Sequence, residues 1–388
     1  MLTARANTRN LFLRKPAERV GLMDNIWGDT LRKWMAQGYP ARRVRKTVKE
    51  RVCGNGKWEE REVEKEVTEP AVDPAEHFGF DMIGVGGWFH MLPLKGPQEI
   101  VEETEEWIIR RNGAGAVLKY WKHKSGTPEH IDFRMTSRVV WERDYRPHLL
   151  HLDRERVNIA GAREALARRR RQGYWTFYGH LFIWENLRQS LGDLCLYESL
   201  IRDPGWIHDY NRVHTDFYKR HYKLLFDEAG VPDGIWMYED LGYKDRLFCS
   251  PRLLSELIFP YYREVVDFFH SYGLPVVLHT CGSTREALPL IVEAGFDGLN
   301  PMEIAAGNDP LEYADKYADR LVFIGGFDKR ILETHDKRLI RREVSRYMRA
   351  MKARGARFVF ASDHSISTNT DYEDFKYMVE VYREHMRY

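Results

Sequence analysis

From Trp175 to the C-terminus, short apolar runs alternate with longer amphipathic stretches, and this alternation constrains the fold more than any other feature. The runs are Tyr174–Tyr178, Gly234–Asp240, Pro275–Cys281, Gly298–Glu303, Leu321–Phe327 and Arg357–Asp363. Nearly continuous hydrophobicity bounded by Gly, Pro or polar residues fits strands covered on both faces, as in a parallel sheet. Between them, Ser250 and Pro251 open a helix reaching Tyr272 before Gly273, and Ser283–Glu293, Lys337–Arg354 and Asp371–His385 read as further helices. Strands and helices joined by short links imply right-handed βαβ units. Phe80–Val85 is the best candidate for the first strand of an eight-stranded barrel. No Gly-x-Gly-x-x-Gly turn follows a strand, so a doubly wound dinucleotide-binding sheet lacks its main signal. The expectation is an α/β chain: a (β/α)8 TIM barrel over residues 76–388, with an N-terminal extension or arm over 1–75 and an antiparallel β insertion over 99–150.

Within the insertion, Trp107–Arg111, the Asn112–Gly113 turn and Ala116–Trp121 read as a hairpin that Ile131–Met135 and Arg138–Trp141 extend. Arg42–Glu69 mixes both charges with few apolar residues and reads as a solvated arm or surface hairpin. The run Arg168–Arg171 suits the exposed face of a helix better than an anion or partner site. With 60 Lys+Arg against 58 Asp+Glu, the chain of 388 residues carries +2, which does not suggest a nucleic-acid binder. Mean hydropathy is −0.55, and no apolar stretch approaches a membrane span. The start, Met1–Val20, lacks the apolar region of a secretory signal, and the four cysteines are far apart, unlike a disulfide framework. A cytoplasmic setting is expected.

The sharpest local signal is His279-Thr-Cys-Gly282 at the C-terminal end of an apolar run. Alternate residues of a strand share a face, so His279 and Cys281 project together while Thr280 points away. In a parallel barrel that end forms the active-site face. An imidazole and a thiolate side by side suit Zn²⁺, although a His-x-Cys pair alone also suits a packed core. The third ligand is expected from His364, just after the last run, with Asp363 as the nearby alternative. Glu239, Asp240 and Glu303, at other strand ends, are candidates for an oxygen ligand or a catalytic acid/base. Gly325-Gly326-Phe327-Asp328 either lets a cofactor approach closely or makes a tight turn.

His279-Thr-Cys-Gly282, Gly298-Leu-Asn-Pro-Met-Glu303, Gly325-Gly-Phe-Asp328, Ser362-Asp-His-Ser365 and Asp371-Tyr-Glu-Asp-Phe375 together resemble the uroporphyrinogen decarboxylase superfamily. More narrowly, the chain resembles the branch with zinc-dependent, corrinoid-linked methyltransferases. Asp29-Thr-Leu-Arg-Lys-Trp34 and Gly126-Thr-Pro-Glu-His130 are similar to segments of demethylase-like members. The resemblance implies zinc on a His-x-Cys pair, here His279 and Cys281, and on a later Cys whose place His364 takes. Losing a thiolate makes the site less negative and a stronger Lewis acid, suited to an ether or hydroxyl oxygen. The Arg-Gln-Ala-Gly-Arg-Tyr motif that clamps porphyrinogen carboxylates is missing, and Met23–Thr30 stands in its region. No Asp-x-His-x-x-Gly corrinoid-binding stretch occurs, so cobalamin would arrive on a separate partner protein or as a free cofactor.

The leading expectation is a zinc-dependent methyltransferase moving a methyl group between a small methylated substrate and a corrinoid. Glu239 or Asp240 would manage the proton, and Trp27, Trp88 and Tyr238 would hold the apolar part. The alternatives are a metal-independent decarboxylase or lyase acting on a small acid, and a non-catalytic corrinoid- or substrate-binding protein. Neither a membrane nor a nucleic acid is an expected partner; a homodimer is left open.

Overall fold

The six apolar runs become six barrel strands, and two short ones upstream complete the set. The computed structural model describes residues 2–54, 57–96 and 99–388. In chain order the strands are β1 (Gly21–Leu22), β2 (Met82–Gly84), β3 (Trp175–Leu181), β4 (Gly234–Tyr238), β5 (Val276–Thr280), β6 (Gly298–Pro301), β7 (Val322–Ile324) and β8 (Arg357–Phe360). All the ladders are parallel, and each strand from β2 to β8 lies beside the next, with β1 beside β8. This is the expected (β/α)8 barrel. Its seam lies between β1 and β2, where the Asp81 N–H donates to the Leu22 carbonyl at 2.7 Å. The buried Asp81 carboxylate accepts the Leu22 N–H at 2.8 Å and both ends of the Arg19 guanidinium at 2.6 and 2.5 Å.

Strand alternation divides the core in two. Met82, Trp175, Phe177, Trp236, Val277, Val322, Ile324 and Val359 fill the barrel interior. Ile235, Met237, Val276, Leu278, Phe323 and Phe358 face outward against the helices. Helix α1 (Ala4–Phe12), capped by the Thr3 hydroxyl accepting the Ala6 N–H, plugs the N-terminal end. Its Leu11 is fully buried, and Phe12 stacks on Trp175 at 5.0 Å.

Several expectations need correcting. Phe80–Val85 holds the second strand, because the first is Gly21–Leu22; a boundary at residue 75 therefore cuts through the barrel. Two residues are too few to show a period, so β1 has no pattern of its own. Arg138–Val140 is helical and continues into a π-turn over Trp141–Tyr145. The Ser137 hydroxyl accepts the Val140 N–H, and Trp141 and Tyr145, four apart, bury on one face. The helix expected over Pro251–Tyr272 is two, Pro251–Leu257 and Phe259–His270, broken where Pro260 removes a backbone donor.

The charged segment forms a surface hairpin, Ala41–Gly54 paired antiparallel with Lys57–Pro70; its turn, 55–56, lies outside the described residues. Opposite charges face each other across it, as in Arg45 with Glu66 and Lys49 with Glu62. Near its far end Trp58 donates to the Glu103 carbonyl at 3.0 Å, and Arg51 pairs with Glu103 at 2.8 Å. Glu103 belongs to the insertion, a four-stranded antiparallel sheet of Glu99–Glu103, Trp107–Arg111, Val117–Trp121 and Glu129–Asp132. One of its loops meets the barrel's mouth, where the Ser125 N–H donates to Asp29 at 3.2 Å. Among the described residues no helix is long and apolar enough to cross a membrane.

Candidate metal centre

Strand β5 carries Val277 into the interior and Leu278 outward. The same alternation turns His279 and Cys281 toward the mouth, while the buried Thr280 hydroxyl accepts the Leu241 N–H at 3.0 Å. The β4–β5 register sets Tyr238 beside His279, so Asp240 follows beside Cys281. The Cys281 N–H donates to Asp240 Oδ1 at 2.9 Å. Cys281 Sγ lies 3.5 Å from His279 Nε2, which is 3.8 Å from Asp240 Oδ1. Ligand atoms of Asp240, His279 and Cys281 all lie within 4.8 Å of one another.

Asn300, on β6, fixes the imidazole. Its Nδ2 donates to the Ile324 carbonyl at 2.9 Å, so its Oδ1 is an acceptor, 2.5 Å from His279 Nδ1. The ring proton therefore sits on Nδ1, and the lone pair of Nε2 faces the thiol and the carboxylate. That is the arrangement of a metal-binding histidine. Glu303 accepts the Gly282 N–H at 2.9 Å. Gly282 has φ +73°, and a Cβ there would strike Gly242 at 2.3 Å, so the loops after β4 and β5 cross too closely for a side chain. Burial pushes the Cys281 thiol well above its usual range, with Asp240, Glu303 and Glu185 adding to it. Such a thiol among carboxylates calls for a cation before it can ionise.

Asp240, His279, Cys281 and Asn300 line a cavity of about 510 Å³ at the C-terminal mouth, with Met23, Asp24, Tyr238, Ser362 and His364. The Tyr238 ring lies 5.3 Å from His279, and Trp88 stacks on Tyr238 at 5.6 Å. Burial pushes the Asp24 carboxyl up to about 7, although it accepts the Ser362 hydroxyl at 2.6 Å.

The other expected site residues are placed as follows. His364 lines the cavity but is not part of the three-residue cluster; its Nδ1 is buried without a partner, and its ring meets Trp27 edge-on. Glu239 points away from the mouth. It is fully buried and accepts the Phe182 and Trp184 N–H groups at 2.5 and 2.7 Å and the Tyr262 hydroxyl at 2.5 Å. It anchors the loop after β3, so it does not reach a substrate in the cavity. Asp363 is likewise a staple, accepting the Ile304 and Lys329 N–H groups at 2.9 and 3.0 Å. Gly325 and Gly326 serve a tight turn: a Cβ would meet the Pro301 carbonyl at 2.5 Å or the Tyr347 hydroxyl at 2.6 Å. Asp328 caps the following turn and pairs with Arg330 at 2.8 Å. None of the three lines this cavity. Asn300 and Asp24 were missed, yet Asn300 had a signal, since it stands two residues beyond Gly298 on the inward face.

A parallel barrel with thiol, imidazole and carboxylate gathered at its C-terminal mouth has the layout of a TIM-barrel enzyme. Residues 196–385 match the family model for uroporphyrinogen decarboxylase (URO-D). No curated protein matches the sequence significantly. Among solved structures, a methyltransferase from Methanosarcina mazei shares the fold over 99% of both chains, at 16% identity and a TM-score of 0.62. A Listeria monocytogenes protein assigned as a vitamin-B12-independent methionine synthase aligns more loosely, covering 80% of this chain and 83% of its own at 11% identity and a TM-score of 0.42.

Proposed function

We propose that this chain is a zinc-dependent methyltransferase that moves a methyl group between a small methylated substrate and a corrinoid. The observation that carries it is the cluster of Asp240, His279 and Cys281, with the His279 tautomer held by Asn300. One nitrogen, one sulfur and one oxygen donor fit zinc, and three protein ligands leave a position open for substrate. His279, Cys281 and Asp240 would hold the ion, Asp240 taking the place expected for His364. When bound, zinc supplies a Lewis acid that polarises an oxygen or keeps a thiol deprotonated near neutral pH.

The remaining work falls to the chain's own residues. Glu303 holds Gly282 in place, and through it the loop that carries Cys281. Tyr238 lines one side, and Trp88, stacked on it from outside the lining, would help shed water from the substrate's alkyl part. His364, which lines the cavity, would take or give a proton there. The cavity's volume suits a small ligand, so the corrinoid, free or on a partner protein, would meet the substrate at the rim.

The test is to mix zinc-loaded protein with reduced cobalamin and a panel of methylated compounds, following the corrinoid spectrum. Methylcobalamin should form with the right donor and fail to form in His279→Ala and Cys281→Ala. Carbon dioxide released from an added acid, unaffected by chelator, would favour the decarboxylase alternative.

A further inference from the structure

The charge of the cavity restricts what it can hold. Its described lining includes Asp24, Asp73 and Asp240 and no lysine or arginine. Asp73 is offset by Arg169 at 2.7 Å. Two further carboxyls bear on the same site: Glu303 on Gly282, and Glu185, which is paired with Arg188 at 2.9 Å. A divalent ion offset by the Asp240 carboxylate and the Cys281 thiolate leaves a neutral centre, with Asp24 still in the lining of the cavity. A carboxylate or sulfonate entering here would find no guanidinium or ammonium to replace its water.

The same mouth offers what a positive alkyl group needs. Trp88 is 52% exposed and stacks on Tyr238 with an interplanar angle of 27°, extending an aromatic wall from the rim to His279. Aromatic faces together with carboxylates attract alkylated cations. We propose that the substrate is a small alkylammonium compound, its oxygen or sulfur directed at the metal cluster and its cationic end held by Asp24, Tyr238 and Trp88. This rests on the methyl-transfer reading for the role of the oxygen or sulfur; the charge preference rests on the cavity alone.

The test is a charge series of one shape: choline, its neutral isostere 3,3-dimethylbutan-1-ol, and 3,3-dimethylbutanoate. Binding is measured by calorimetry to zinc-loaded and to chelator-treated protein. Choline should bind at least about tenfold tighter than the neutral compound in both forms, with no detectable binding of the anion. Trp88→Ala, at a half-exposed position, should weaken choline more than the neutral compound, so that the preference for choline falls several-fold; Asp24→Asn should narrow it in the same way. Equal or tighter binding of the neutral or anionic compound, or no binding by any of the three, would overturn the proposal. If the protein proves to hold no zinc but keeps the preference for choline, the methyl-transfer reading fails and the charge assignment stands.

Discussion

The Nδ1 of His279 lies 2.5 Å from Oδ1 of Asn300, whose amide nitrogen is committed to the Ile324 carbonyl. One side chain thereby decides which imidazole nitrogen is free. Removing it in Asn300→Ala should weaken zinc binding roughly 10–100-fold. Competition against a chromophoric chelator measures this, and an unchanged affinity would show that the tautomer is set some other way.

Glu239 is a structural acid rather than a catalytic one. Glu239→Ala leaves two backbone N–H groups and the Tyr262 hydroxyl without their acceptor, which should cost at least about 3 kcal/mol in denaturant unfolding while zinc content stays unchanged.

The same carboxyl gives a pH signature. Burial pushes it from 4.5 up to about 8, so it binds its proton more readily folded than unfolded. Its contribution is complete below about pH 4.5 and fades as pH rises through about 8. Asp24 and Glu185, both pushed up to about 7 by burial, act in the same direction. The Tm should therefore fall between about pH 5 and pH 8, and less steeply in Glu239→Gln. An identical slope in the variant would contradict this.

Asp81 closes the barrel seam. Asp81→Ala leaves the Arg19 cation without its partner and the Leu22 N–H without an acceptor, and should cost about 3–5 kcal/mol. A loss below about 1 kcal/mol would mean that the seam is held elsewhere.

The six later strands were legible because each is buried on both faces and so reads as an unbroken apolar run. The inward pairing of His279 with Cys281 followed from the two-residue period. That period also separates Asp240, in phase with Trp236 and Tyr238, from Glu239, which is out of phase. The third member of the cluster, Asp240, was legible only as one of several candidates and His364 was preferred, because proximity across strands is not written along the chain. Neighbouring strands lie about 4.8 Å apart. β4 is next to β5, whereas β8, which His364 follows, lies beyond β6 and β7. Acidic residues at strand ends were a second source of ambiguity. Asp240 reaches the cluster, while Glu239, Glu303 and Asp363 staple neighbouring loops through backbone N–H groups, and the residue type is the same for both tasks.

The most direct test of the account is metal analysis of the purified wild type beside Asp240→Asn, Cys281→Ser and His364→Ala. Asp240→Asn keeps an oxygen to accept the Cys281 N–H, so it removes the charge while preserving the loop. The account predicts close to one zinc per chain in wild type and His364→Ala, and a large loss in Asp240→Asn and Cys281→Ser. A wild type that takes up no zinc, or a His364→Ala that loses it while Asp240→Asn retains it, would contradict the account.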